Sequence, residues 1–143
     1  MGMRVMGLLS KLFGSRNAAK NGPSDQEVEV HFEYGSTNFQ YVYALGDKLR
    51  LTIAEAKVGE YDGHALPADG SEGRYFVYGP DAEAIFKVIA PVLEASPLMR
   101  GATVTLYFGP RRWRTPKRVI KLLKYRMERA AINAETNLPS PLQ

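Results

Sequence analysis

The sequence predicts a two-layer α+β domain, with two helices laid on one face of a sheet. Three observations carry that reading. Residues 27–34 (EVEVHFEY) alternate strictly between polar and apolar side chains, the period of a strand with one buried face. Two later stretches place apolar residues three and four apart, as amphipathic helices do. Strand and helix signals also follow one another as β-α-β-β-α-β over about 80 residues, a pattern that closes into sheet and helix layers.

Taken in order, Val28, Val30, Phe32 and Tyr34 share one face of the first strand, and Glu27, Glu29, His31 and Glu33 share the other. A turn over residues 35–38 offers Ser36 or Thr37 as a helix cap. A helix over residues 40–57 follows, with Leu45, Leu49, Thr52, Ile53 and Ala56 as its stripe, and Gly59 closes it. Residues 59–66 are a poor strand, broken by Asp62-Gly63, and residues 67–73 are a loop of turn-forming residues. Residues 74–78 (RYFVY) are a short aromatic and β-branched strand. Gly79-Pro80-Asp81 starts a second helix, with Pro in the first turn and acidic groups at the positive end. Its apolar face is Ile85, Val88, Ile89, Val92 and Leu93, and Ser96-Pro97 ends it. In the last strand, residues 102–108, Ala102, Val104, Leu106 and Phe108 point one way, and Thr103, Thr105 and Tyr107 the other.

This element order is that of the ferredoxin-like, or split βαβ, fold. Both helices then cover one sheet face and leave the other open. Glu29, His31, Glu33, Thr103, Thr105 and Tyr107 are the expected members of the open face.

The chain has 143 residues, no cysteine and two histidines. That length suits one domain plus tails. It excludes disulfides, thiolate chemistry and three-histidine metal sites. The formal charge of +4 hides an uneven distribution. Residues 1–26 carry net +3, residues 27–99 net −7 and residues 100–143 net +8. Residues 1–26 read as a flexible tail, with Leu8, Leu9, Leu12 and Phe13 on one short helical face. The start matches neither a secretory signal nor the myristoylation pattern. Residues 27–110 are the domain, and residues 111–143 are a basic extension.

That extension begins Arg111-Arg112-Trp113-Arg114-Thr115-Pro116-Lys117-Arg118, five basic residues in eight around the single tryptophan. A helix over residues 116–134 is expected, with Val119, Leu122, Leu123, Met127, Ala130 and Ala131 on one side. Lys121, Lys124, Tyr125 and Glu128 fall on the other. A basic amphipathic helix has three physical readings: it binds phosphates, lies on an anionic membrane, or packs on the protein's own sheet. Residues 137–143 are expected to be disordered.

Tests for chemistry return little. Glu29, His31 and Glu33 share a face and suit a metal geometrically, but one histidine among glutamates is common on a solvated strand, and no metal is expected. His64 beside Asp62 suits acid–base work, but its glycine-containing turn favours a plain loop histidine. Glycine-rich phosphate loops are absent. No cofactor is expected.

Residues 73–78 resemble the third-strand motif of RNA-recognition domains, which stack bases on aromatic side chains of the open face. The first strand offers acidic groups there, so core packing of residues 75–78 is the expectation. A second resemblance rests on Tyr78-Gly79-Pro80-Asp81-Ala82-Glu83-Ala84-Ile85-Phe86, the preceding Val58-Gly59-Glu60-Tyr61-Asp62-Gly63 and the later residues 101–110. Together they look like a family of small uncharacterised bacterial α+β proteins, covering residues 27–110. That resemblance implies no catalytic residues.

The functional expectation is a non-catalytic cytoplasmic binding protein that works through another protein, of adaptor or toxin-neutralising immunity type. A homodimer is admitted, and a membrane surface is disfavoured. The alternative is nucleic-acid binding through Arg111, Arg112, Trp113, Arg114, Lys117, Arg118, Lys121 and Lys124. A small-ligand or catalytic role at the open face around His31 is the remaining one.

Overall fold

The alternating segment forms β1 (Gln26–Glu33), the middle strand of a five-stranded antiparallel sheet in the order β2-β3-β1-β4-β5. The computed structural model describes residues 25–136. After β1 come α1 (Gln40–Ala56), β2 (Glu60–Ala65), β3 (Glu72–Gly79), α2 (Ala82–Glu94), a 3₁₀ turn (Pro97–Met99), β4 (Thr103–Tyr107), β5 (Lys117–Lys121) and α3 (Leu122–Thr136). The fold is α+β. The tail around Leu8 to Phe13 and the chain end at residues 137–143 lie outside the described residues.

The core forms where the apolar parity of the strands meets the helical stripes. Val28, Val30 and Phe32 of β1 join Tyr75 and Val77 of β3 and Val104 and Leu106 of β4. Val42, Leu45, Leu49 and Ile53 of α1 cover them, with Ile85, Phe86, Ile89 and Leu93 of α2. Each of these larger side chains contributes about 1.5–3 kcal/mol by leaving water. Tyr75 brings a polar tip into this layer. Its hydroxyl donates to the Val42 carbonyl at 2.6 Å, and its ring stacks on Phe32 at 5.3 Å.

Two glycines fix how β2 enters the sheet. A Cβ on Gly59 would meet the Tyr78 carbonyl oxygen at 2.2 Å, and one on Gly79 would meet the Val58 oxygen at 2.5 Å. The two backbones therefore touch where β2 begins and β3 ends. Just beyond, Asp81 caps α2, accepting from the amides of Glu83 (3.0 Å) and Ala84 (3.3 Å). Gln26 Oε1 accepts from the Ala82 amide at 2.8 Å, tying the start of β1 to the same helix end.

Several expectations need correction. α1 closes on Lys57, which takes the left-handed conformation (φ 57°), and not on Gly59. Neither Ser36 nor Thr37 caps it. Ser36 Oγ accepts from the Asn38 amide instead, and the cap position is Phe39, without a side-chain bond. Thr52 and Ala56 stay out of the core, where Val42 takes part instead. Residues 60–65 do pair as a strand, with the register irregular between Tyr61 and Gly63, where Gly63 has φ 108°. Phe86, absent from the expected stripe of α2, is buried.

The largest departure is at residues 116–134, expected as one helix. Residues 117–121 are instead the fifth strand, paired with β4 from Thr103↔Lys121 to Tyr107↔Lys117. Left alone, β4 would be an edge with unpaired backbone groups. The β-branched Val119-Ile120 pair suits the ladder that satisfies them. Residues 117–121 therefore belong to the sheet, and residues 108–116 connect them to β4. The expected helix face also dissolves. Leu122 is buried and Tyr125 faces inward onto Phe86 at 5.1 Å, whereas Val119, Leu123 and Met127 are exposed.

Gly59→Ala is expected to destabilise the protein by about 1–3 kcal/mol, the usual cost of overpacking, because backbone cannot yield as a side chain can. Urea unfolding with an unchanged m-value checks it.

Candidate functional site

The polar parity of β1 does form the open face, and the registers bring the expected residues together. His31 lies opposite Thr103 and Glu29 opposite Thr105. Glu33 and Tyr107 complete that set at the two ends of the face. Glu72, Arg74, Phe76 and Tyr78 of β3 join from the other side, facing Glu33, His31, Glu29 and Glu27. The core expectation for residues 75–78 is therefore right for Tyr75 and Val77 only. Phe76 and Tyr78 are half-buried on the open face.

This face is not a plainly solvated one. Glu27 is 4% exposed and Glu29 8%. Burying a carboxylate requires a counter-charge, and Arg111 supplies it. Its Nε and a terminal nitrogen bind the two oxygens of Glu27 at 2.9 and 2.8 Å, and the same terminal nitrogen reaches Glu29 Oε1 at 2.6 Å. The guanidinium carbon sits 4.3 Å from the centre of the Tyr107 ring. Arg74 approaches Glu29 at 3.5 Å and Glu72 at 3.7 Å, and His31 Nε2 is 2.5 Å from Glu72 Oε1. A continuous chain of paired side chains thus links β1, β3 and the connection after β4: Glu27, Arg111, Glu29, Arg74, Glu72, His31.

Burial and the neighbouring charge of Glu29 push the Glu27 carboxyl above its ordinary range, against the pull of Arg111. Burial also works against the charge on Arg111, but Glu27 and Glu29 outweigh it and hold the guanidinium protonated. The sequence placed both glutamates correctly and missed what covers them. The signal was the parity of Glu72 and Arg74 with Phe76 and Tyr78. Nothing local pointed to Arg111, 84 residues from Glu27.

The basic segment is sorted by the fold into committed and uncommitted cations. Arg111 belongs to the sheet. Arg118 points to the helix side, where both its terminal nitrogens bind Glu83, at 2.5 and 3.1 Å. Lys121 donates to the Gly101 carbonyl (3.1 Å) and Thr103 Oγ1 (3.2 Å). Arg112, Arg114, Lys117 and Lys124 make no ion pair among the described residues. Trp113 is 86% exposed, with the Arg114 guanidinium 4.3 Å from its ring centre. The connection bearing them is tied to itself. Thr115 Oγ1 donates to the Pro110 carbonyl and accepts from the Arg112 amide at 2.9 Å, and the Thr115 amide donates to the Arg112 carbonyl at 3.1 Å.

The expected chemistry around the histidines takes another form. His64 is on the helix side, its ring 5.3 Å from that of Tyr43, and burial lowers its pKa. It ends a row of rings running Tyr34, Phe39, Tyr43, His64, which the sequence reading did not single out. Among the described residues no group of three metal-ligating side chains converges, and no helix is long and apolar enough to cross a membrane. No protein-family model, curated protein or solved structure matches this chain.

Arg111→Ala would leave two buried carboxylates facing each other. A loss of about 2–3 kcal/mol is expected at pH 7, a buried-pair cost discounted for the partial exposure of Arg111. A carboxyl with a raised folded pKa favours the folded state at low pH, and that contribution fades as pH rises through the folded value. The deficit of the variant should therefore shrink as pH falls toward the ordinary value of 4.5. Denaturant unfolding of both proteins at the two pH values checks it.

Proposed function

We propose that this chain is a non-catalytic cytoplasmic binding protein that acts through another protein, of adaptor or toxin-neutralising immunity type. The observation that carries the reading is the uncovered apolar stripe of α3. Leu123 is 50% exposed and Met127 64%, and Ala130, Ala131 and Ala134 continue the same side at helical spacing. On the opposite side, Leu122 is buried, Tyr125 meets Phe86, and Arg129 binds Glu94 at 2.6 Å. The helix is thus pinned along one side and presents the other.

An isolated helix of this length is marginal in water, and the contacts of Leu122, Tyr125 and Arg129 hold it formed. A preformed helix then meets a partner without the full cost of ordering it. Lys124 and Glu128 border the stripe, so the complementary partner is an apolar groove with a rim of mixed charge.

The same reading treats the first four strands as a ferredoxin-like unit with β5 appended. Counted from the β4 side, their order is β4-β1-β3-β2, with a helix in each crossover. It also keeps the kinship of residues 27–110 with small uncharacterised bacterial α+β proteins. The Gly59–Gly79 contact gives the glycines of that resemblance a physical reason.

Leu123→Asp with Met127→Asp is the test. Both positions are exposed, so stability should move by no more than about 0.5 kcal/mol per site. Partner affinity should fall at least about 100-fold, since apolar anchors of an interface carry roughly 2 kcal/mol or more each. Affinity capture with wild-type and variant baits, followed by titration of the captured protein, decides it. Equal affinity for the two baits would refute the assignment of α3.

A further inference from the structure

The uncommitted cations gather with two aromatic rings at one end of the open face. We propose that residues 112–117 form a binding site for single-stranded nucleic acid. This site is separate from α3 and does not depend on the protein-partner reading.

A cavity of about 400 Å³ is lined by Tyr107, Arg111, Arg112, Trp113, Thr115 and Lys117. Three of its features select the ligand. Arg112, Arg114 and Lys117 keep their charge unpaired among the described residues, so they are available to phosphates. Trp113 offers an exposed ring with Arg114 lying over it, an arrangement on which an unpaired base stacks. A duplex keeps its bases stacked inside and offers that ring nothing but its ends.

The third feature is the floor beside the cavity. Acidic groups on β1 would repel a phosphate chain, and they head the polar face of that strand. The structure meets that objection for the two glutamates nearest the cavity, because Arg111 and Arg74 pair with Glu27 and Glu29 within the sheet, while Glu33 lies at the far end of the face. Beyond Lys117 the β5 edge of the face carries Val119 and Lys121, and Lys121 binds only neutral oxygens. A cationic strip therefore continues from the cavity for about 13 Å, the span of four strand residues. The hydrogen bonds of Thr115 within the connection and the anchor at Arg111 hold the site in shape before any ligand arrives.

The experiment uses the full chain and a labelled 12-nucleotide single-stranded RNA, with the matching DNA strand, its duplex and vesicles of three parts phosphatidylcholine to one part phosphatidylserine. Trp113 is the only tryptophan, so its fluorescence reports the site directly. The strands are expected to bind at low salt and quench that fluorescence. The logarithmic salt slope should be about −2, from about −0.7 per phosphate over three cations. Trp113→Ala should weaken binding about tenfold, in line with loss of one stacked base. Arg112→Ser, Arg114→Ser and Lys117→Ser together should abolish the salt-dependent part. Lys124→Ser, on α3, and the Leu123→Asp, Met127→Asp protein should bind as wild type does. Absence of binding at low salt would overturn the proposal. So would equal binding of duplex with no response from Trp113, which marks a plain polyanion surface, and so would preference for the vesicles.

Discussion

Two carboxylates sit buried on the central strand, and one guanidinium bridges them. Glu27 and Glu29 occupy the polar parity of β1, where water would ordinarily solvate them. They are covered because Arg111 closes over them, bonding Glu27 with two nitrogens and resting on the Tyr107 ring. The carboxylates could not be buried uncompensated, and this contact, with the β4–β5 ladder, holds the connection after β4 against the sheet.

Much of the C-terminal structure follows from that anchor. With residue 111 held against β1, the chain re-enters at Lys117 beside Tyr107 and runs back along β4. The β4 edge gains its ladder, and β5 ends where the Leu122 amide donates to the Ala102 carbonyl at 2.9 Å. The helix that follows therefore starts near the C-terminal end of α2. It can reach Phe86 and Glu94 on the helix side of the sheet, and it leaves the open face to the ion-pair chain.

The same geometry divides the positive charge. A segment that is uniformly basic along the chain becomes two populations in space. Arg111 and Arg118 face opposite sides of the sheet and meet glutamates on each. Arg112, Arg114 and Lys117 remain on the outer side of the connection with Trp113. Lys124 stands apart on α3. The two surfaces are distinct for this reason: one is an apolar helix face with a border of mixed charge, the other a cationic connection with aromatic rings. The core and α3 also differ in how easily they open. α3 buries little beyond Leu122 and part of Tyr125, and local opening scales with such burial.

The sequence by itself determined the α+β class, the parity of β1 and β4, the two helices of the core layer and the start of the second helix near Asp81. Alternation and helical spacing are local properties, read within a few residues of chain, and the core simply obeys them. It also identified the open-face residues of β1 and β4, since parity runs along each strand, but not those of β3. The tertiary structure alone decided that residues 117–121 are a strand. Lys117, Arg118 and Lys121 around Val119-Ile120 satisfy helix and strand patterns alike, and the unpaired edge of β4 settled the matter. It alone decided which basic residues are spent inside the fold, because the pairing of Arg111 with Glu27 joins residues 84 positions apart. No local pattern encodes a contact of that range. It exists because a buried charge must find its opposite wherever the fold brings one within reach.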